Sequence, residues 1–181
     1  MRQPAAAREV ALLRWGLIPA WAKDPAIGNR MINARAETVA TKPAFRTAFR
    51  RRRCLVLADG FYEWKPVDER KQPYFIHRHD DAPMGLAGLW ESWQSPDDPP
   101  QQLASCTIIT TQANHQLRPI HQRMPVIVAP QQYATWLDPE FDDPDRLLPL
   151  LAPWLHDTLQ ADPVGTYVNK PSHEGPQCLA R

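Results

Sequence analysis

The stretch Arg53-Cys-Leu-Val-Leu-Ala-Asp-Gly-Phe-Tyr-Glu-Trp-Lys65 holds two β-prone runs, Cys54–Ala58 and Phe61–Lys65, on either side of Asp59-Gly60. An Asp-Gly pair between apolar runs is the strongest short-range hairpin signal in the chain, because both residues tolerate the positive φ of a two-residue turn. Working outward, Tyr74–Arg78, Met84–Trp90 and Leu103–Thr111 read as further short strands. Turn-rich segments such as Ser95–Pro100 separate them. Val126–Ala129 and Thr166–Asn169 continue the series, and Val10–Ile18 reads as a strand leading into a corner at Pro19–Trp21. A modest helix is expected over about 43–51, with Pro43 in its first turn and Phe45 and Phe49 four apart on one face. Two more are expected, near Pro130–Leu137 and around Asp145–Leu151.

Twenty prolines among so many short strands predict an α+β, β-rich fold. The expected form is one compact domain over 1–181, of short, mainly antiparallel strands in a barrel- or sandwich-like arrangement with a few peripheral helices. No run approaches the roughly 18 apolar residues of a membrane helix. The N-terminus lacks the apolar core of a secretory signal, so the expected address is the cytoplasm. Cys54, Cys106 and Cys178 are odd in number and include no C-x-x-C, which argues against a disulfide framework and against structural zinc. Cys54 and Cys106 lie in apolar runs and read as inert core thiols.

The net charge of +1 hides an asymmetry. Residues 1–53 carry 12 Lys or Arg against 3 Asp or Glu, while residues 54–181 carry 9 against 17. The balances of +9 and −8 suggest an anionic partner on one face, with a phosphate backbone the obvious choice. The alternative is a solvated surface, and the Arg50–Arg53 run reads that way, meeting DNA at its rim if at all.

Several residues can carry chemistry. Glu63, between Tyr62 and Trp64, could sit in a partly apolar pocket that raises its pKa toward acid–base use. Its alternative is an outward-facing Glu on an alternating strand. His121 lies in the proline-bracketed loop Pro119-Ile-His-Gln-Arg-Met-Pro125, which can present a rigid imidazole and, two residues on, Arg123. Asn33 and Arg35 pair an amide that could orient a reacting group with a fork that could grip phosphate. Trp15-Gly16 and Trp21 offer aromatic faces for stacking single-stranded nucleic acid, although Trp21 reads better as a core residue. His77-x-His79 reads as an exposed strand end rather than a zinc site, and Gly85–Trp90 as a buried strand rather than a phosphate loop.

Taken in order, these stretches resemble the SOS-response-associated peptidases, also called abasic-site processing proteins. The matching segments are Leu13-Arg-Trp-Gly-Leu-Ile-Pro-Ala-Trp21, Ile32-Asn-Ala-Arg-Ala-Glu-Thr38, Arg53 to Lys65, Thr107-Ile-Ile-Thr-Thr111, Ile120-His-Gln-Arg-Met-Pro125 and Val168-Asn169. The resemblance implies a β-rich fold around a groove for single-stranded DNA with abasic sites. It implies an N-terminal cysteine whose amine and thiol capture the open-chain aldehyde as a thiazolidine. By the same match Asn33 would position the N-terminal residue, Glu63 would act as general acid/base, and His121 would assist proton transfer. Trp15, Gly16, Arg35, Thr110 and Arg123 would hold flanking bases and phosphates. No cofactor or metal is implied, and a monomer is the default.

The family pattern opens Met-Cys-Gly-Arg, whereas this chain opens Met1-Arg2 and reaches Trp15 at once. The expectation is a domain shortened by about a quarter at its N-terminus, without the covalent nucleophile; Met1 could at most offer an amine for a reversible imine. Three explanations stay open. The start is misplaced or truncated, the chain is a cysteine-less DNA-binding relative, or the activity is the amide hydrolysis of the family's peptidase name.

Overall fold

The computed structural model describes residues 8–97 and 99–181, so Met1, Arg2 and Asp98 lie outside the described residues. Nine strands follow in chain order among them: β1 (Arg14–Trp15), β2 (Asn33–Arg35), β3 (Arg53–Ala58), β4 (Gly60–Val67), β5 (Arg70–Arg78), β6 (Met84–Gln94), β7 (Gln102–Gln112), β8 (Arg123–Pro125) and β9 (Leu159–Pro163). Three short helices, α1 (Arg46–Arg51), α2 (Tyr133–Leu137) and α3 (Pro144–Leu147), lie at the margins.

The strands make two sheets. In the larger, β7 is central. Antiparallel β6 lies along it and carries β3 beyond, while β1 and β2 add to β7 in parallel and β8 antiparallel. Past the Gly88–Ile108 pair the chain after Arg123 continues between β6 and β7: Val126 donates to Ile109, and its own carbonyl accepts from Ala87. This insertion helps curl the sheet into a half-barrel. The smaller sheet, β4-β5-β9, is wholly antiparallel. A β-rich fold of mainly antiparallel strands with marginal helices is therefore what the chain adopts.

Period-two alternation explains the packing. On β6, Ala87 and Leu89 join a core shared with Phe45, Phe49, Trp136 and Leu147 of the helical side. Met84 and Leu86 instead meet Ile76 and Leu159 of the smaller sheet. A strand covered on both faces must read as a near-continuous apolar run, and Met84–Leu89 does.

The hairpin expectation at Asp59-Gly60 is corrected. Cys54–Ala58 pairs with β6, and Phe61–Lys65 pairs with β5, so the two runs belong to different sheets. Gly60 is absent from the positive-φ residues, and a two-residue turn needs one. The tight turn lies instead at Asp68-Glu69, between Val67 and Arg70, where Asp68 takes φ 51°.

Other expectations shift as well. Val10–Ile18 contributes only Arg14–Trp15 to the sheet, because Gly16 turns to φ 111° and ends the extended run. Thr166–Asn169 is a 3-10 helix; the last strand is Leu159–Pro163, an edge strand recruited by β5. The strand expected at Val126–Ala129 is displaced to Arg123–Pro125, with one isolated bridge from Ile127 to Leu86. The expected 43–51 helix shortens to Arg46–Arg51, with Phe45 and Phe49 both buried. Tyr133–Leu137 and Pro144–Leu147 fall where helices were expected, each adjoining a 3-10 turn.

The arginine run is not uniformly solvated. Arg53 is 6% exposed, and its guanidinium donates to the carbonyls of Phe49, Arg50, Trp136, Asp138 and Phe141. It thereby satisfies carbonyls at the ends of α1 and α2 that helix geometry leaves without partners. Arg52 pairs with Glu91 at 2.7 Å. Arg51 pairs with Asp142, and only Arg50 and Arg51 remain largely at the surface.

Candidate functional site

Glu63 sits in the middle of β4, two residues from Phe61 and on the same face by strand alternation. Phe61 packs on the core between the sheets, so Glu63 occupies the rim of that apolar layer with its side chain 21% exposed. Burial raises its pKa from the ordinary carboxylate value, and the opposing influence of His121 does not cancel that. The outward-facing alternative is therefore not what the fold produces.

His121 approaches from the loop before β8. Its Nδ1 lies 3.3 Å from Glu63 Oε1, 3.0 Å from the Arg123 carbonyl and 3.2 Å from the Arg123 amide nitrogen. When Nδ1 is bare it accepts the Arg123 N–H; when protonated it can donate to the carbonyl or to Glu63. One nitrogen thus serves either state of the ring with little movement. Glu63 and His121 line a pocket of about 360 Å³ with Trp64, Lys71 and Asn169. Trp64 Nε1 donates to Asn169 Oδ1 at 2.7 Å, which closes one wall.

Lys71 and Asn169 are pocket residues to which the sequence reading attached no role. Asn169 stood in a matched segment. Lys71 follows the unrecognised turn at Asp68-Glu69, and no local signal marks it.

Of the expected nucleic-acid residues, Trp15 and Arg35 lie on strands added to one edge of β7, Gly16 follows Trp15 there and Thr110 is on β7 itself, while Arg123 is on β8; Asn33, expected to position the N-terminal residue, shares β2 with Arg35. Asn33 and Arg35, both exposed on β2, pair in register with Ile108 and Thr110. Trp15 on β1 pairs with Cys106, four residues from Thr110 and so roughly 13 Å along the strand. Trp15 is 56% exposed while its Nε1 donates to the Ile32 carbonyl at 2.8 Å, so an anchored ring stands open to solvent. Trp21, expected in the core, is 62% exposed instead, because the corner at Pro19 turns Leu17 and Ile18 inward and Trp21 outward. Gly16 has a structural reason of its own: a Cβ there would meet the Gly28 carbonyl oxygen at 2.6 Å.

Arg123, expected to help hold flanking phosphates and bases, has its guanidinium bonded within the protein. Its Nη1 donates to Glu37 Oε1 at 2.5 Å and its Nη2 to Glu37 Oε2 at 3.1 Å. Nη2 also reaches the Thr110 carbonyl at 2.6 Å. Cys54 and Cys106 cannot stand in for an activated nucleophile. Burial pushes Cys54 up to about 12 and raises Cys106 as well. His77, one of the discounted zinc pair, instead meets Asp81 at 3.1 Å and Asp162 at 3.2 Å.

Comparison with known proteins adds a family. Residues 1–171 match the description "SOS response associated peptidase (SRAP)". The chain is 46% identical over 168 residues to the abasic site processing protein YoqW of Bacillus subtilis, covering 92% of this chain and 74% of that one. It is 32% identical over 195 residues to the abasic site processing protein HMCES of Xenopus tropicalis, covering 96% of this chain and 57% of that one. Among solved structures, a protein from Bacteroides thetaiotaomicron superposes with a TM-score of 0.86 at 30% identity, over 93% of this chain and 75% of that one. A protein from Bordetella bronchiseptica gives a TM-score of 0.76 at 30% identity, over 91% and 82% respectively.

Proposed function

The chain belongs to the SOS response associated peptidase family, and on that premise we propose that it recognises abasic sites in single-stranded DNA through the β7 edge and handles their open-chain aldehyde beside Glu63 and His121. The observation that carries this reading is the Glu63–His121 contact of 3.3 Å at the rim of an open pocket. A carboxyl whose pKa burial raises keeps its proton closer to neutrality, where imine chemistry needs a donor.

The steps balance without an outside oxidant or reductant. A primary amine adds to the aldehyde carbon of the abasic sugar, and its proton passes to the new oxygen. Glu63, protonated, then assists that hydroxyl to leave as water, forming the imine. His121 takes up and returns protons at Nδ1 as Glu63 changes state. Where the N-terminal residue is cysteine, its thiol adds to the imine carbon and the thiol proton moves to nitrogen, closing a thiazolidine. Asn33 orients the amine in this reading. Arg35 and Thr110 hold flanking phosphates, and the open face of Trp15 stacks a base. The buried Cys54 and Cys106 take no part.

The test compares this chain with a form extended to begin Met-Cys-Gly-Arg, on single-stranded DNA carrying one abasic site. The expected result is a heat-stable protein–DNA band on a denaturing gel from the extended form alone. This chain should bind reversibly, with affinity that falls as salt rises. Replacing Glu63→Gln in the extended form should slow band formation by about 10²–10⁴-fold. If neither form crosslinks or favours single-stranded DNA, the reading fails and hydrolysis of amides becomes the next activity to assay.

A further inference from the structure

Arg123 is the hub of a brace that joins β7 and β8 to the segment after β2. Glu37 lies two residues after β2, Thr110 is on β7, and Arg123 opens β8. A guanidinium carries five N–H donors. Two go to the Glu37 carboxylate, and a third is shared between the Thr110 carbonyl at 2.6 Å and hydroxyl at 3.2 Å. The Nε donor is buried without a partner. One Nη1 hydrogen is left for a further acceptor. A buried, unsatisfied Nε is costly, and the paired hydrogen bonds to Glu37 help offset that cost.

The backbone of Arg123 meets His121 Nδ1 through both its carbonyl and its amide, and that nitrogen faces Glu63. Glu37 therefore stands two links from the reacting pocket. We propose that Glu37 is a positioning residue: by gripping the Arg123 fork it fixes the 119–125 loop so that His121 stays against Glu63. The proposal rests on the reading of Glu63 and His121 as the acid–base pair, but its test needs no DNA.

The readout is the titration of the Glu63 carboxyl, followed by carbon-13 NMR in the wild-type chain and in the E37Q, R123K and H121Q variants. The charged groups lining the pocket with Glu63 are Lys71 and His121, and the charge on His121 pulls the Glu63 pKa down. Loosening the brace should let His121 drift, so Glu63 should titrate higher in E37Q, by no more than in H121Q. Simple removal of a nearby negative charge would have the opposite sign. R123K, which keeps the charge but loses the fork, should raise it too, and E37Q added to H121Q should raise it no further. Thermal unfolding of each variant confirms that a folded protein is being read. A Glu63 midpoint unmoved or lowered in both E37Q and R123K would overturn the proposal. Failure of the wild-type chain to bind single-stranded DNA would instead count against the proposed function and leave the titration result standing.

Discussion

Burial holds the Glu63 carboxyl above its ordinary pKa, and that has a consequence for stability as well as chemistry. A carboxyl whose folded pKa exceeds its unfolded one binds its proton more tightly in the folded protein. The resulting stabilisation is complete below the unfolded pKa and is lost as pH rises through the folded value. At neutral pH and above, the ionised Glu63 therefore weakens the fold relative to a neutral isostere. Glu63→Gln is expected to match wild type in thermal unfolding near pH 4. At pH 8 it should be more stable, by about 2–4 °C if the difference is near 1 kcal/mol, even though it loses the proposed proton donor. A gap that stays constant between the two pH values, or has the opposite sign, would show that the His121 contact outweighs desolvation. Asp80, by contrast, is an exposed carboxylate held below its usual range by its hydrogen bond with Arg78, a surface pairing with no bearing on the pocket.

At the scale of elements, Gly60 does something other than turn the chain. It carries the backbone from one sheet to the other past Phe75, and a Cβ there would lie 2.4 Å and 2.5 Å from that ring and 2.7 Å from the Ile76 carbonyl oxygen. Phe75 has little room to yield, with Tyr62 at 5.3 Å on one contact and His77 stacked at 5.2 Å on another. Gly60→Ala is expected to destabilise by about 1–3 kcal/mol, the usual cost of overpacking, measured as a lower urea midpoint with unchanged slope. Because Glu63 is three residues along the same strand, the pocket should distort with it. An unchanged midpoint would mean that β4 and β5 can separate freely there. The Asp-Gly pair was a sound local signal for a turn. It was overridden because β3 and β4 each found longer partners elsewhere, six residues of β6 and eight of β5.

For the molecule as a whole, the charge asymmetry between residues 1–53 and the rest is partly internal. Arg51, Arg52 and Arg53, all from the basic part, reach Asp142, Glu91 and the carbonyls of Trp136, Asp138 and Phe141 in the acidic part. Some of the +9 balance thus holds the two parts together, which leaves Arg35, Arg46 and Arg50 among the exposed cations on offer to an anionic partner. Arg53→Met should cost at least about 3 kcal/mol, since each buried carbonyl left unsatisfied costs about 1–3 kcal/mol. The loss should be seen in chemical denaturation and should change little with added salt, because the site is buried. A surface-like loss below about 0.5 kcal/mol would show that water replaces the guanidinium without difficulty.

The sequence by itself determined the strand-rich class, the run of β6 and β7, helices near 130–137 and around 145–151, and the family. It also singled out Glu63 and His121, because a carboxylate between aromatics and an imidazole between prolines are local patterns. Period-two alternation and proline placement are written within a few neighbouring residues, so they survive without knowledge of the fold. Only the tertiary structure decided which runs pair, since pairing depends on the competition between distant partners. It placed Asp68 rather than Gly60 in the tight turn, moved the last strand to 159–163, turned Trp21 outward and sank Arg53 among carbonyls. It also closed Glu37 on Arg123, and the residue 86 positions away on the chain that occupies a guanidinium is something that no local pattern contains.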